Sequence, residues 1–339
     1  MLEKHIVCPR FTDLHIHGAF GLDFLRITSF EEIEWLCLRL GKNGIGYFAP
    51  TILSSPINEL KNPCSLWGQF IYRSRKKGFL SRIHARPIGI HLEGPFLNKM
   101  AAGAHEKKNL QTPSIRTLEQ IVKFCQNEVA ILTIAPELSN AMAVIKAANR
   151  AGIRVQIGHT KASLSILVKA IKAGAVGFTH LFNAMSIHHR FPGAVGVLLQ
   201  NYVSAEVISD GVHINPLFLD FLYRGLGPKL YAVSDSCSIA GSKKKTGSLG
   251  RIEVTRKKIG NGFAATIADR LAAGSTLLTD HPYYLQKHWR LKTVRDKKDL
   301  LSFFYRAPQI TRLRQSDSKE SSVRNVFSSK SLKFLGLNT

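Results

Sequence analysis

Short apolar runs alternate with amphipathic stretches through roughly the first 240 residues, and run after run closes on a histidine or a carboxylate. The first, Phe11 to His17, alternates His15 and His17 with Leu14 and Ile16, so a period of two puts both imidazoles on one face of a strand. Ser29-Phe-Glu-Glu32 then reads as a capping box opening a helix through Trp35 and Leu40, which Gly41 or Gly44 closes. Strands are predicted at Tyr47–Leu53, Gly89–Glu93, Ala130–Glu137, Ile153–His159, Gly177–Phe182, Ala205–Asp210 and Leu230–Asp235. Between them lie a long helical stretch ending in the solvated run Arg73–Lys77, a helix near Ala141–Ala151 that stops at Gly152, and a helix over Ser163–Ala173 closed by Gly174.

About eight strand–helix units are what a TIM-type (β/α)8 barrel requires, and that is the predicted fold. A doubly wound open sheet is the competing α/β form. It is disfavoured because polar groups delivered by the first, third, fifth, sixth and eighth strands need one common axis, whereas an open sheet offers a crevice. Glu93 carries the point most sharply. It ends an apolar strand before Gly94-Pro95, where a bare carboxylate is costly unless a cation or hydrogen-bond donors compensate it. His15, His17, His159 and His180 are candidate partners, all at strand ends.

Beyond Ser236 the texture changes. Ser242–Gly250 reads as a loop, Arg251–Ile259 as a strand and Leu271–Thr276 as a turn into a helix, while from His281 no clean period remains. The expected division is therefore a barrel over 1–280 and a basic C-terminal segment over 281–339.

Composition changes this picture in two respects. The formal charge is +24, from 47 Lys and Arg against 23 Asp and Glu, which invites a polyanion or a phosphate. The last hundred residues alone hold 21 basic against 7 acidic side chains, so over half of the excess is a charge-blocked segment. Aromatic and basic residues are not interleaved there as in a nucleic-acid module, which weakens a nucleic-acid partner. The cysteines, at 8, 37, 64, 125 and 237, show no C-x-x-C and no regular spacing, which fits a reducing compartment rather than a disulfide framework. No signal-peptide core and no run of about 18 apolar residues is found, so a cytoplasmic protein with no membrane partner is expected.

Seven motifs in order carry a resemblance: His15-x-His17, His91-Leu-Glu-Gly-Pro95, Gly103-Ala-His105, Gly158-His-Thr160, Thr179-His-Leu-Phe-Asn-Ala-Met185, Asp210-Gly-Val-His213 and Val233-Ser-Asp235. From about residue 7 to about residue 280 the chain resembles the N-acetylglucosamine-6-phosphate deacetylases of the amidohydrolase superfamily. The resemblance implies hydrolysis of the acetamide of N-acetylglucosamine 6-phosphate, in amino-sugar catabolism, assisted by one or two divalent ions, zinc or iron. It makes Glu93, His159 and His180 the main metal ligands, with His15 and His17 as the pair that completes or adds a second position. Asp235 becomes the general base that takes a proton from the attacking water and returns it to the departing amine. His213 becomes the contact to the acetamide carbonyl and sugar hydroxyls, and His105 another sugar contact. Asn183, Ala184 and Arg190 become the phosphate-binding part, where a guanidinium and backbone N–H groups suit a dianion. The partner implied is a small phosphosugar, and the resemblance leaves room for a homodimer.

Outside the motifs, Asp13 is expected to brace the first strand, Glu137 to support the site from behind or anchor a loop, with a purely structural role equally open, and Cys237 to be an inert thiol. Arg10 stands where the family has a glycine, and Ser234 where it has a threonine. The family's small β-sandwich, built from strands before and after the barrel, is expected to be largely missing, as in a truncated chain. An inactive barrel serving as a remnant or scaffold is thus the alternative to a working deacetylase, with a basic nucleic-acid-binding protein third.

Overall fold

The computed structural model describes residues 11–275 apart from 82, 201–202, 260–261 and 268–269. The expected residues 276–339, Cys8 and Arg10 lie outside them. Eight parallel strands form one sheet in sequence order: β1 (Phe11–Ile16), β2 (Ile45–Leu53), β3 (Ile90–Glu93), β4 (Val129–Ile134), β5 (Arg154–Ile157), β6 (Ala175–Phe178), β7 (Ser204–Ile208) and β8 (Leu230–Val233). The sheet closes on itself through a parallel bridge from Ile16 to Ser236 and through Asp235 N–H donating to the His15 carbonyl at 2.8 Å. The chain is a (β/α)8 barrel of the TIM type.

Helices α1 (Phe30–Lys42), α2 (Ile57–Ser74), α3 (Ile115–Phe124), α4 (Ala141–Arg150), α5 (Leu164–Ala173), α6 (Gly193–Gln200) and α7 (Pro216–Leu226) fill the seven crossovers. Ser29 caps α1 by accepting from Glu32 N–H at 3.3 Å, but the Glu32 carboxylate returns to Thr28 N–H at 2.8 Å, one residue earlier than a closed capping box. Gly174 ends α5 at φ 114°, as the sequence predicts. Strands buried on both faces divide the core in two. The larger part lies between strands and helices, and a small plug of Leu14, Ala49, Ile131, Ile208, Tyr231 and Val233 fills the barrel.

After β8 an antiparallel sheet follows: β9 (Thr246–Leu249), β10 (Ile252–Ile259), β11 (Gly262–Ile267) and β12 (Arg270–Ser275). This corrects the turn expected over Leu271–Ser275; Thr276 and the helix expected beyond it lie outside the described residues. Ala and Gly in that stretch are weak strand formers, and the strand is imposed by its ladder to β11, with Thr266 opposite Leu271 and Ile267 opposite Arg270. The sheet docks beside the C-terminal rim of the barrel: Leu249, Val254 and Ala265 pack with Leu53, Ala104, Cys237 and Ile239. Asp23 Oδ2 accepts from Gly250 N–H at 2.7 Å, and Arg251 pairs with Glu59. Among the described residues no helix is long and apolar enough to cross a membrane.

Candidate metal centre at the barrel mouth

Each strand end delivers its side chain for a local reason. Glu93 is the last residue of β3, and His17 directly follows β1. His159, His180 and Asp235 each stand two residues beyond a strand, with left-handed backbones at φ 49°, 28° and 47°. Non-glycine residues in that region carry strain, and strain of this kind clusters at sites where a side chain must be aimed. At Gly158, just before His159, a Cβ would sit 2.7 Å from Thr133 Cγ2 and 2.9 Å from Thr179 Cβ, so the turn that presents His159 needs glycine.

The side chains meet at one point. Glu93 Oε1 lies 3.0 Å from His159 Nε2, 2.9 Å from His180 Nε2 and 3.5 Å from His15 Nε2. Glu93 Oε2 lies 3.2 Å from His17 Nε2 and 3.1 Å from His105 Nε2. Asp235 Oδ1 is 3.4 Å from Nε2 of both His15 and His17. The Nε2 pairs His15–His17 and His159–His180 are each 3.1 Å apart. Two nitrogens bound at about 2.0–2.1 Å to one tetrahedral ion would be roughly 3.3 Å apart, so both imidazole pairs fit a shared cation. Every member is buried.

The field at this point favours positive charge. Burial opposes charge on His15 and His17, yet Glu93 and Asp235 raise His15 well above the ordinary imidazole value and His17 to about 9. Burial likewise opposes ionisation of the carboxylates. The surrounding imidazoles, His15 foremost, nonetheless hold Glu93 well below its usual range and bring Asp235 down to about 2. His105 differs, because burial outweighs its carboxylate partner and lowers it to about 4. It stands against Glu93 itself, a position closer to the centre than a sugar contact alone requires.

The remaining predicted residues are placed unequally. His213 donates from Nδ1 to Asp210 Oδ2 at 2.8 Å, and its buried Nε2 has no partner among the described residues. Asn183 and Ala184 form the turn directly after His180: Asn183 N–H donates to the His180 carbonyl at 2.9 Å, and the Ala184 carbonyl accepts from Thr160 N–H at 3.1 Å. Arg190 stays on an exposed turn, away from the cluster, where its backbone N–H meets His188 Nδ1 at 3.2 Å. Asp13 braces β1 against β8 by accepting from Ser234 N–H at 3.1 Å. Glu137 anchors the His159 loop, with Oε1 accepting from Asn98 Nδ2 at 2.7 Å and from Lys161 N–H at 2.6 Å. Cys237 is buried, which pushes its thiol up to about 12 and leaves it inert.

Sequence reasoning missed Glu206, a fully buried carboxylate inside β7 whose Oε2 lies 3.0 Å from His15 Nδ1. Its signal was a lone glutamate in an otherwise apolar strand, Ala205–Ile208.

No family model matches the chain. An N-acetylglucosamine-6-phosphate deacetylase of Bacillus subtilis is 32% identical over 277 residues, covering 80% of this chain and 67% of that protein. This chain belongs to the N-acetylglucosamine-6-phosphate deacetylase family. The family enzyme of Bos taurus is 32% identical over 260 residues, 74% of this chain and 62% of its own length. The chain thus spans less than two thirds of that relative. A Mycobacterium smegmatis N-acetyl-D-glucosamine-6-phosphate deacetylase variant, solved in complex with N-acetyl-D-glucosamine-6-phosphate, superposes with a TM-score of 0.78 at 27% identity. That match covers 91% of this chain and 78% of the other.

Proposed function

We propose that the protein hydrolyses the acetamide of N-acetylglucosamine 6-phosphate to glucosamine 6-phosphate and acetate, as its family membership suggests. The observation that carries this reading is the convergence of Glu93, His15, His17, His159 and His180 on one buried point with Asp235 alongside. These five residues are the ligands for one or two divalent ions, and imidazole with carboxylate suits zinc or iron. When bound, such an ion supplies Lewis acidity, lowering the pKa of a water and polarising the amide carbonyl.

Asp235, held ionised by its imidazole neighbours, accepts a proton from the attacking water and passes it to the departing amine. His213, fixed by Asp210, turns an unpartnered Nε2 to the substrate's acetamide and hydroxyls. His105 closes the site beside Glu93, and Asn183, Ala184 and Arg190 receive the phosphate, Arg190 from its exposed turn. A cytoplasmic setting suits a phosphosugar, whose charge keeps it from crossing a bilayer.

Acetate release from N-acetylglucosamine 6-phosphate by the purified chain tests the reading. Asp235→Asn should keep the metal content and cut turnover by about 10²-fold or more. Loss of metal in that variant would make Asp235 a ligand instead. A metal-loaded wild type without turnover would favour the scaffold reading.

A further inference from the structure

The barrel interior holds a buried polar chain that the proposed reaction does not use. Glu206 sits in β7 facing inward, where branched apolar residues ordinarily fill a (β/α)8 barrel, and it is completely buried. An ionised carboxylate there is costly unless its oxygens are satisfied. Oε2 faces His15 Nδ1 at 3.0 Å and accepts from His180 N–H at 3.3 Å, while Oε1 accepts from the Tyr231 hydroxyl at 3.3 Å. Tyr231 is held in turn by Gln156 Nε2 at 2.8 Å.

Five imidazoles approach Glu93: His15, His17, His105, His159 and His180. Their rear nitrogens differ. Among the described residues Nδ1 of His17, His105 and His180 has no partner, and His159 Nδ1 donates to the Ala101 carbonyl at 2.8 Å. Of the five, His15 alone has a carboxylate behind it among the described residues. A carboxylate only accepts, so His15 Nδ1 keeps its hydrogen. In the neutral form that ligation requires, the bare nitrogen is then Nε2, which faces His17, Glu93 and Asp235. A carboxylate at the rear nitrogen fixes a ligand's ring and tautomer and raises its basicity.

We propose that Glu206 is a positioning residue that acts through His15, holding its Nε2 lone pair toward the cation centre. The inference rests on the reading that His15 helps hold a divalent ion. A separate cation site formed by His15, His91 and Glu206, whose donor atoms also lie near one another, is the poorer reading. Both His91 nitrogens are committed, Nδ1 to the Leu14 carbonyl at 2.9 Å and Nε2 to Thr133 Oγ1 at 2.7 Å.

The test is Zn²⁺ affinity, measured on the metal-free full chain by competition with a chromophoric chelator. In Glu206→Gln an amide can donate to Nδ1 and favour the wrong tautomer, so affinity should fall about 10–100-fold, and Glu206→Asp should recover part of that loss. In a His15→Ala background, adding Glu206→Gln should change the affinity no further, because the effect runs through His15. Wild-type affinity in Glu206→Gln overturns the inference, as does a full additional loss in the His15→Ala background. A Glu206→Gln chain whose metal-free form melts far lower, with zinc affinity intact, makes Glu206 a structural pin only. A wild type that binds no zinc overturns the centre itself, a separate result from failure of the Glu206 variants alone.

Discussion

On the proposed reading, Arg190 is the residue on which substrate selection turns. The other predicted groups are built into the rim, whereas its guanidinium is carried on an exposed turn held by His188 N–H to the Phe191 carbonyl at 3.3 Å and back at 2.9 Å. A charge-assisted contact to phosphate is worth about 1.5–3 kcal/mol. Arg190→Ala should therefore raise KM for N-acetylglucosamine 6-phosphate roughly 10–100-fold while leaving unphosphorylated N-acetylglucosamine little changed. Steady-state kinetics on both sugars decides the matter, and an equal loss on both would make Arg190 a structural residue. At the centre itself, Glu93 divides its two oxygens between imidazoles remote in the chain, His159 and His180 from strand ends on one side, His17 from a strand end and His105 from the loop after β3 on the other. Such a carboxylate is poorly replaced even by glutamine, which offers a single acceptor oxygen.

Strand ends, rather than helices, set the accuracy of the site. Between β5 and His159 the chain passes through Gly158, wedged between Thr133 and Thr179, and these threonines also belong to the polar chain inside the barrel, their hydroxyls 2.7 Å apart. Gly158→Ala forces two β-branched neighbours to move and should cost about 1–3 kcal/mol of stability, together with weakened zinc binding through His159. Gly225, in α7, is the contrast: its Cβ would meet open space, and its backbone is not left-handed. There alanine should be neutral or stabilising by up to about 1 kcal/mol. Urea unfolding of the two variants, set beside the wild type, checks both signs; a Gly158→Ala protein as stable as the wild type would show that the turn relaxes freely.

For the molecule as a whole, a cation that binds only the folded chain must stabilise it. At about 100 times its dissociation constant an ion contributes roughly 2.7 kcal/mol, and for a domain of this size each kcal/mol moves the midpoint by about 2–4 °C. Zinc added to the metal-free protein should thus raise Tm by about 5–10 °C, and Glu93→Ala should abolish the rise. Scanning calorimetry with and without zinc measures it, and an equal rise in the variant would place the ion elsewhere. The antiparallel sheet β9–β12 packs on the barrel through Leu249, Val254 and Ala265 against Cys237 and Ile239, just past Asp235. A single transition is the expected form of the melt.

The sequence by itself determined the barrel and most of the candidate centre. Period-two strands, glycine stops and ligand-type residues at strand ends are local patterns, and a parallel barrel turns a local position, the C-terminal end of a strand, into a shared spatial one. That is why Glu93, His15, His17, His159, His180 and Asp235 could be read before any coordinates. Other features were decided only by the tertiary structure. Which nitrogen of His15 faces Glu206, that His105 abuts Glu93, that Asp13 ties β1 to β8, and that Arg270–Ser275 is a strand all depend on partners remote in the chain or imposed by pairing. Glu206 shows the limit most clearly. A glutamate inside an apolar strand is unexplained from its neighbours in sequence, and it acquires its role only from a histidine 191 positions earlier that the closed barrel brings within 3.0 Å.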